Sequence, residues 1–247
     1  MHSRRDALVM MSLALGQAAC ASSARIASNA PLQPWAPYRD TIAIDGAGGL
    51  MLGFIEPDDP LVAGELAAAR ASGLTGVVLT IAPQGQFWFD DAAIARTRAN
   101  LEKWNAIIAR YPEHLLAVRT GADLTRARAE NKLGVIFTCQ GTEPLGEDVD
   151  RIAMYRELGV RVIQLTHNRR NIVGDGSMEA GNAGLSNFGR QVVERLNAEK
   201  IVVDLAHGSP RTMSEGVAAS RVSFFGPTSA KTRNRWPSTL SATLSTQ

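Results

Sequence analysis

Cysteine is almost missing from this chain of 247 residues, which contains only Cys20 and Cys139. Were a leader carrying Cys20 removed, Cys139 alone could not close an internal disulfide, so the fold is expected to stand without one. An excess of one charge is missing too, since 26 basic and 24 acidic residues leave a formal net charge of +2. That balance argues against the broad basic footprint of a DNA- or RNA-binding protein. The chain also lacks an apolar run of the roughly twenty residues that a membrane-spanning helix needs.

Several chemical signatures are incomplete as well. The glycines of "DGAGG" at 45–49 do not make a dinucleotide fingerprint, and "GTEPLGED" at 141–148 lacks the Lys-Ser or Lys-Thr ending of a phosphate-binding loop. There is no nucleophilic serine elbow. The segment "DGSMEAGNAG" at 175–184 has neither the length nor the ligand periodicity of a calcium loop, and reads as a plain loop.

At the N-terminus, Arg4 and Arg5 precede a short apolar stretch and then small residues. This is the layout of an export signal over 1–24, with the paired arginines of "SRRDALVM" suggesting the bacterial twin-arginine route to the periplasm. Cys20 in "GQAAC" is a candidate lipid-attachment cysteine, although Gln17 stands where an aliphatic residue would strengthen that signal. Pro31, Pro34 and Pro37 mark residues 25–40 as a linker, residues 41–234 as the folded domain, and 235–247 as an irregular Ser/Thr-rich tail.

Within the domain, apolar strand-like segments alternate with amphipathic ones. "TIAID", "TGVVLTIA", "LLAVRT", "LGVIFTCQ", "VRVIQLTH", "KIVVDLAH" and "RVSFFGP" are short and continuously apolar, as strands covered on both faces are. An α/β fold follows: an incomplete TIM-type (β/α) barrel with about seven recognisable strands, one short of a closed barrel. An open doubly wound sheet is the second choice.

Barrel active sites form where strands run into their following loops. Four such ends carry polar groups: Asp45, Gln140, His167 and His207. His207 suits zinc ligation or acid–base work, or a structural hydrogen bond. His167 could donate to a carbonyl or a developing oxyanion, or simply pack in a polar loop, and the arginines of "NRRNIVGDGS" could meet an anion. Gln140 has the reach of glutamate without its charge and is a poor bridge between divalent ions. Asp45 could bind a cation or cap its loop, and Asp204 lies inside its strand, so it could face elsewhere. Trp88 could cover a pocket or pack in the core, and Trp104 reads as helix-to-barrel packing.

The ordered set "AIDG", "GQFW", "RTGADLTRARAENKLGVIF", "YRELGVRVIQLTHNRRN", "GLSNFGRQVVERLN" and "VVDLAHGSPRTM" resembles the membrane (renal) dipeptidase family, peptidase family M19, over about residues 40 to 234. The likeness reaches only the earlier part of a family domain. It implies a (β/α) barrel with a two-zinc centre whose metal-held water attacks a dipeptide carbonyl. It also implies that Ala47 and Gly49 stand where the family has its Asp-Gly-His-x-Asp ligands, Gln140 at the bridging glutamate, His207 at a metal histidine and Pro227 at the other. His167 matches a substrate-contact histidine, and Arg233 approximately matches an arginine that meets the substrate carboxylate. With most zinc ligands replaced, zinc is expected from the family but not as a two-metal centre here. The expectation is a catalytically impaired dipeptidase relative. The alternatives are an active exported metallo-dipeptidase with an altered or shared metal site, and a noncatalytic protein binding a dipeptide or related small ligand, as a monomer or a homodimer.

Overall fold

The strand segments pair in parallel at every junction. The computed structural model describes residues 41–82 and 92–221, and the backbone of 224–225, all within the compact unit Pro34–Gln247. Its strands are β1 (Ile44–Asp45), β2 (Gly76–Ala82), β3 (Leu115–Ala117), β4 (Leu133–Cys139), β5 (Val160–Gln164), β6 (Val202–Asp204) and β7 (Phe224–Phe225). Between them run α1 (Leu61–Ala71), α2 (Ala93–Arg110), α3 (Gly121–Ala129), α4 (Arg151–Leu158), α5 (Asn187–Ala198) and α6 (Pro210–Ala219). This is an α/β half-barrel, consistent with an incomplete TIM-like barrel. Among the described residues, no helix is long and apolar enough to cross a membrane.

The sheet departs from a simple series of staves at β3. The continuous path is β1-β2-β4-β5-β6-β7, and β3 pairs with β4 off that path. Gly134 donates its N–H to Thr75 on the β2 side, whereas Leu133 donates to His114 and Val135 accepts from Val118 on the other side. β3 therefore lies along residues 133–135 on the same edge of β4 that β5 occupies along 137–139. The sequence segment "LLAVRT" is strand-like, but it makes half of a shared edge rather than a stave of its own.

Strand side chains alternate between two faces. Val77, Leu79, Val135, Phe137, Ile163 and Val203 pack with the buried residues of the flanking helices, among them Leu101, Trp104, Ile152 and Leu196. Trp104 thus takes the packing role read from the sequence, and a Cβ on Gly53 would come within 2.6 Å of its ring. Val78, Ile136, Val162 and Val202 occupy the opposite face with Leu116, Val118, Leu124 and Ala127 from β3 and α3. Gly134 lets that layer close in, since a Cβ there would stand 2.7 Å from Val118.

α3 starts from a reciprocal cap: Thr120 Oγ1 accepts the Asp123 N–H at 3.4 Å, and Asp123 Oδ2 accepts the Thr120 N–H at 2.8 Å. Such boxes satisfy donors that the first helical turn leaves over. Thr120→Ala is expected to cost about 1 kcal/mol, read as a lower urea midpoint at unchanged slope.

Candidate functional site at the strand ends

Of the strand ends named from the sequence, Asp45 closes β1 while Gln140, His167 and His207 follow β4, β5 and β6, and the structure gives each a distinct setting. Asp45 is exposed, and its Oδ1 accepts the Ala47 N–H at 3.0 Å, so it caps its own turn. Gly48 must remain small because a Cβ there would lie 2.5 Å from Val77, while a Cβ on Gly49 would meet nothing within 4 Å. Ala47 and Gly49 offer no side-chain atom able to ligate a cation. Gln140 extends β4, with its N–H bonded to Ala82 O at 3.1 Å. Three residues on, Glu143 Oε1 accepts from Asn171 Nδ2 at 3.3 Å, so its carboxylate is directed into the β5–α5 loop.

His167 and His207 come together. Their rings stack with centroids 4.0 Å apart and planes 16° from parallel. His207 Nδ1 lies 2.9 Å from Asn168 Oδ1. An amide oxygen can only accept, so Nδ1 is the donor in this contact. His207 holds φ at 59°, a left-handed backbone that costs energy for a non-glycine residue. Burial, and then the neighbouring His207, lower the pKa of His167 and favour its neutral ring.

A backbone strap fixes this pair. The Ser177 N–H bonds to His207 O at 2.7 Å and reaches His167 O at 3.4 Å, and Met178 N–H bonds to Asn168 O at 2.9 Å. Further along the loop, buried Asp175 binds Arg170 Nε at 2.5 Å and Ala183 N–H at 2.6 Å. Arg170, one of the arginines suggested for an incoming anion, is thus already paired within the loop, and its partner Asp175 is held below the usual carboxylate pKa mainly by that bond.

Two groups not singled out as strand ends lie beneath the histidines. Gln164 and Asp204 are register partners on β5 and β6, and are 2% and 8% exposed. Gln164 Oε1 is buried without a hydrogen-bond partner among the described residues. Asp204 Oδ1 accepts the Ala206 N–H at 2.8 Å, yet burial raises the Asp204 pKa to about 6 against the opposing effects of that bond and of His207. The period-two spacing from Val162 to Gln164 and from Val202 to Asp204 could have placed both on one inward face. Asn168 was visible only as the neighbour of His167, and nothing in the sequence tied it to His207.

Cys139 is buried, which pushes its thiol up to about 12 and leaves it without nucleophilic character at neutral pH. Trp88, Pro227 and Arg233 lie outside the described residues. A groove of about 770 Å³ lined by Pro57, Leu66, Arg70, Tyr111 and His114 lies along α1, away from these strand ends.

A divalent cation needs lone pairs that converge on one point. The parallel rings of His167 and His207 do not present such a set, and among the described residues no three His, Cys, Asp or Glu side chains are grouped to hold a metal. The described residues therefore do not fit a two-metal centre.

Residues 40–234 match the family described as Membrane dipeptidase (Peptidase family M19). A relative, Dipeptidase tcpJ of Claviceps purpurea (strain 20.1), is 25% identical over 161 residues, covering 63% of this chain but 38% of that protein. An amidohydrolase structure from Pseudomonas aeruginosa matches at 26% identity and a TM-score of 0.63, over 77% of this chain and 53% of the other. The probable dipeptidase PvdM from Pseudomonas aeruginosa shares the fold at 22% identity and a TM-score of 0.64, over 76% and 52%. The chain thus matches about half the length of these solved structures and little more than a third of the curated relative. With the matched residues spanning nearly all of the domain, the chain belongs to the membrane dipeptidase family, peptidase family M19.

Proposed function

We propose that this chain is a dipeptidase-like protein in which hydrolysis is impaired because the strand ends no longer supply the ligands of a two-zinc centre. The observation that carries this reading is the donor set at the described strand ends: Ala47, Gly49 and Gln140 provide no anionic ligand, and no three His, Cys, Asp or Glu side chains are grouped there to hold a metal. Pro227 extends the same reading to the position of a further histidine. Zinc chemistry in this family generates a nucleophilic water and polarises the scissile carbonyl, and both effects require ions held in place by several converging ligands. One imidazole whose Nδ1 is committed to Asn168 does not organise two ions.

A second reading, noncatalytic binding of a dipeptide or related small ligand, is favoured by Gln164, whose buried carbonyl oxygen still has acceptor capacity. His167 then serves as a hydrogen-bonding group for the ligand, with Arg233 and Trp88 as further contacts.

The deciding experiment loads the folded protein with zinc, measures bound zinc per chain by elemental analysis, and assays a panel of dipeptides. The expected result is far less than two zinc ions per chain and no metal-dependent hydrolysis. Near two ions per chain with turnover would overturn the proposal in favour of an altered or shared metal site. Saturable dipeptide binding without turnover would establish the second reading.

A further inference from the structure

The shared edge of β4 creates a second polar cluster at the other end of β5. β5 carries a bulge there, because Phe137 pairs with Val160 and Thr138 with Val162, so Arg161 has no partner across the ladder. Bulges redirect side chains, and this one brings Arg161 to the end of β3. Arg161 Nε bonds to Arg119 O at 2.6 Å, and its Nη1 bonds to Arg156 O and Val160 O, each at 2.7 Å. Arg119 Nη1 bonds to Glu157 O at 3.0 Å, and its guanidinium lies over Gly159, where a Cβ would stand 2.8 Å away. Arg156 Nε bonds to Glu199 O at 2.5 Å.

All three arginines are half-buried, and every one of these bonds ends on a neutral carbonyl. Helix C-termini attract cations, which accounts for one contact per arginine. It does not account for gathering three cations, because among the described residues none of them is ion-paired to a carboxylate. Asp123 lies nearby, but it is engaged by Thr120 and by Arg126 at 3.2 Å, while Glu199 pairs with Arg195 at 3.3 Å. Burial, and then the charges of Arg156 and Arg119, lower the Arg161 pKa, with Asp123 opposing. Each guanidinium carries five N–H donors, and Arg119 and Arg156 each commit one of theirs in these bonds.

We propose that Arg119, Arg156 and Arg161 form a binding site for an oxyanion of the phosphate class at the junction of β3 and β5, separate from the strand-end histidines. A dianion with three or four acceptor oxygens matches the charge of three neighbouring guanidinium groups and the N–H donors that Arg119 and Arg156 leave uncommitted. The source can be free phosphate or a phosphomonoester.

The test is isothermal titration of the full chain with inorganic phosphate, and in parallel with glycerol 3-phosphate, at constant ionic strength set by chloride. Saturable binding near one ion per chain is expected, and the tighter arm identifies the source. Arg119→Gln and Arg156→Gln should each weaken binding at least tenfold, while Arg70→Gln on α1 should leave it unchanged. A wild-type protein that gives no saturable signal with either anion overturns the proposal, as does binding that survives both substitutions in the cluster. If a cluster variant fails to fold, the wild-type melting temperature decides: a rise with phosphate beyond that in matched chloride supports the site, and equal melting in both overturns it.

Discussion

Gly176→Ala is expected to destabilise the protein by about 3 kcal/mol, at the upper end of overpacking effects. The added Cβ would lie 2.3 Å from His167 O, 2.5 Å from the Asn168 carbonyl carbon and 2.6 Å from Arg169 O. All three are backbone atoms, so no side chain can rotate to relieve the clash. Gly176 also bridges to Gly208, and the next residue's N–H bonds to the carbonyl of His207. Pushing the strap outward would therefore weaken the link between the ends of β5 and β6 and separate the stacked rings. A fall in melting temperature of roughly 6–12 °C is the expected readout for a domain of this size. A change within about 1 °C would show that the strap can move freely and that the histidine stack does not depend on it.

The sequence exposes the regular part of this architecture well, and the reason is physical. Continuous apolar runs such as "GVVLTIA" and "LGVIFTC" can be buried on both faces only in a covered parallel sheet, and amphipathic segments such as 187–198 present one apolar side to it. The pattern says less about pairing partners. "LLA" has the same apolar character as its neighbours, and its position on half of β4's edge is fixed by the hydrogen bonds of Leu133 and Val135.

The candidate site follows the same division. His167 and His207 were legible as groups at the mouth of the sheet. β5 and β6 nevertheless end three residues earlier, at Gln164 and Asp204, so Asp204 closes its strand rather than lying inside it, and the histidines stand in the following loops. Their stacking and the Asn168 bond depend on the left-handed turn at His207 and on the strap from the 168–186 loop, which bring together residues 39 positions apart. The arginine cluster was less legible still. Arg119, Arg156 and Arg161 belong to three different segments, and a bulge that shifts one strand by a single residue brings them to one junction.

Asp204→Asn is expected to stabilise the protein at neutral pH, reversing the usual sign for altering a buried charged group. Burial raises the Asp204 pKa to about 6, so the fold favours the protonated acid more than the unfolded chain does, where the value is near 3.8. The folded state therefore binds more protons across that interval, and the favourable contribution of the acid form is complete below about pH 4 and lost as pH rises through about 6. At pH 7 the charged form carries a penalty on the order of 3 kcal/mol relative to the acid. Asparagine cannot ionise, its Oδ1 can still accept the Ala206 N–H, and its amide group adds a donor on the face that Gln164 shares. The carboxylates of Asp175, Asp123 and Glu215 shift the other way, so their contributions are lost as pH falls, in wild type and variant alike. Urea unfolding at pH 4 and pH 7 separates these effects through the difference between the two proteins. The variant should be more stable by about 2 kcal/mol at pH 7, and that advantage should shrink towards pH 4. An equal difference at both values would mean that Asp204 titrates normally in the folded protein and that its burial does not control its charge.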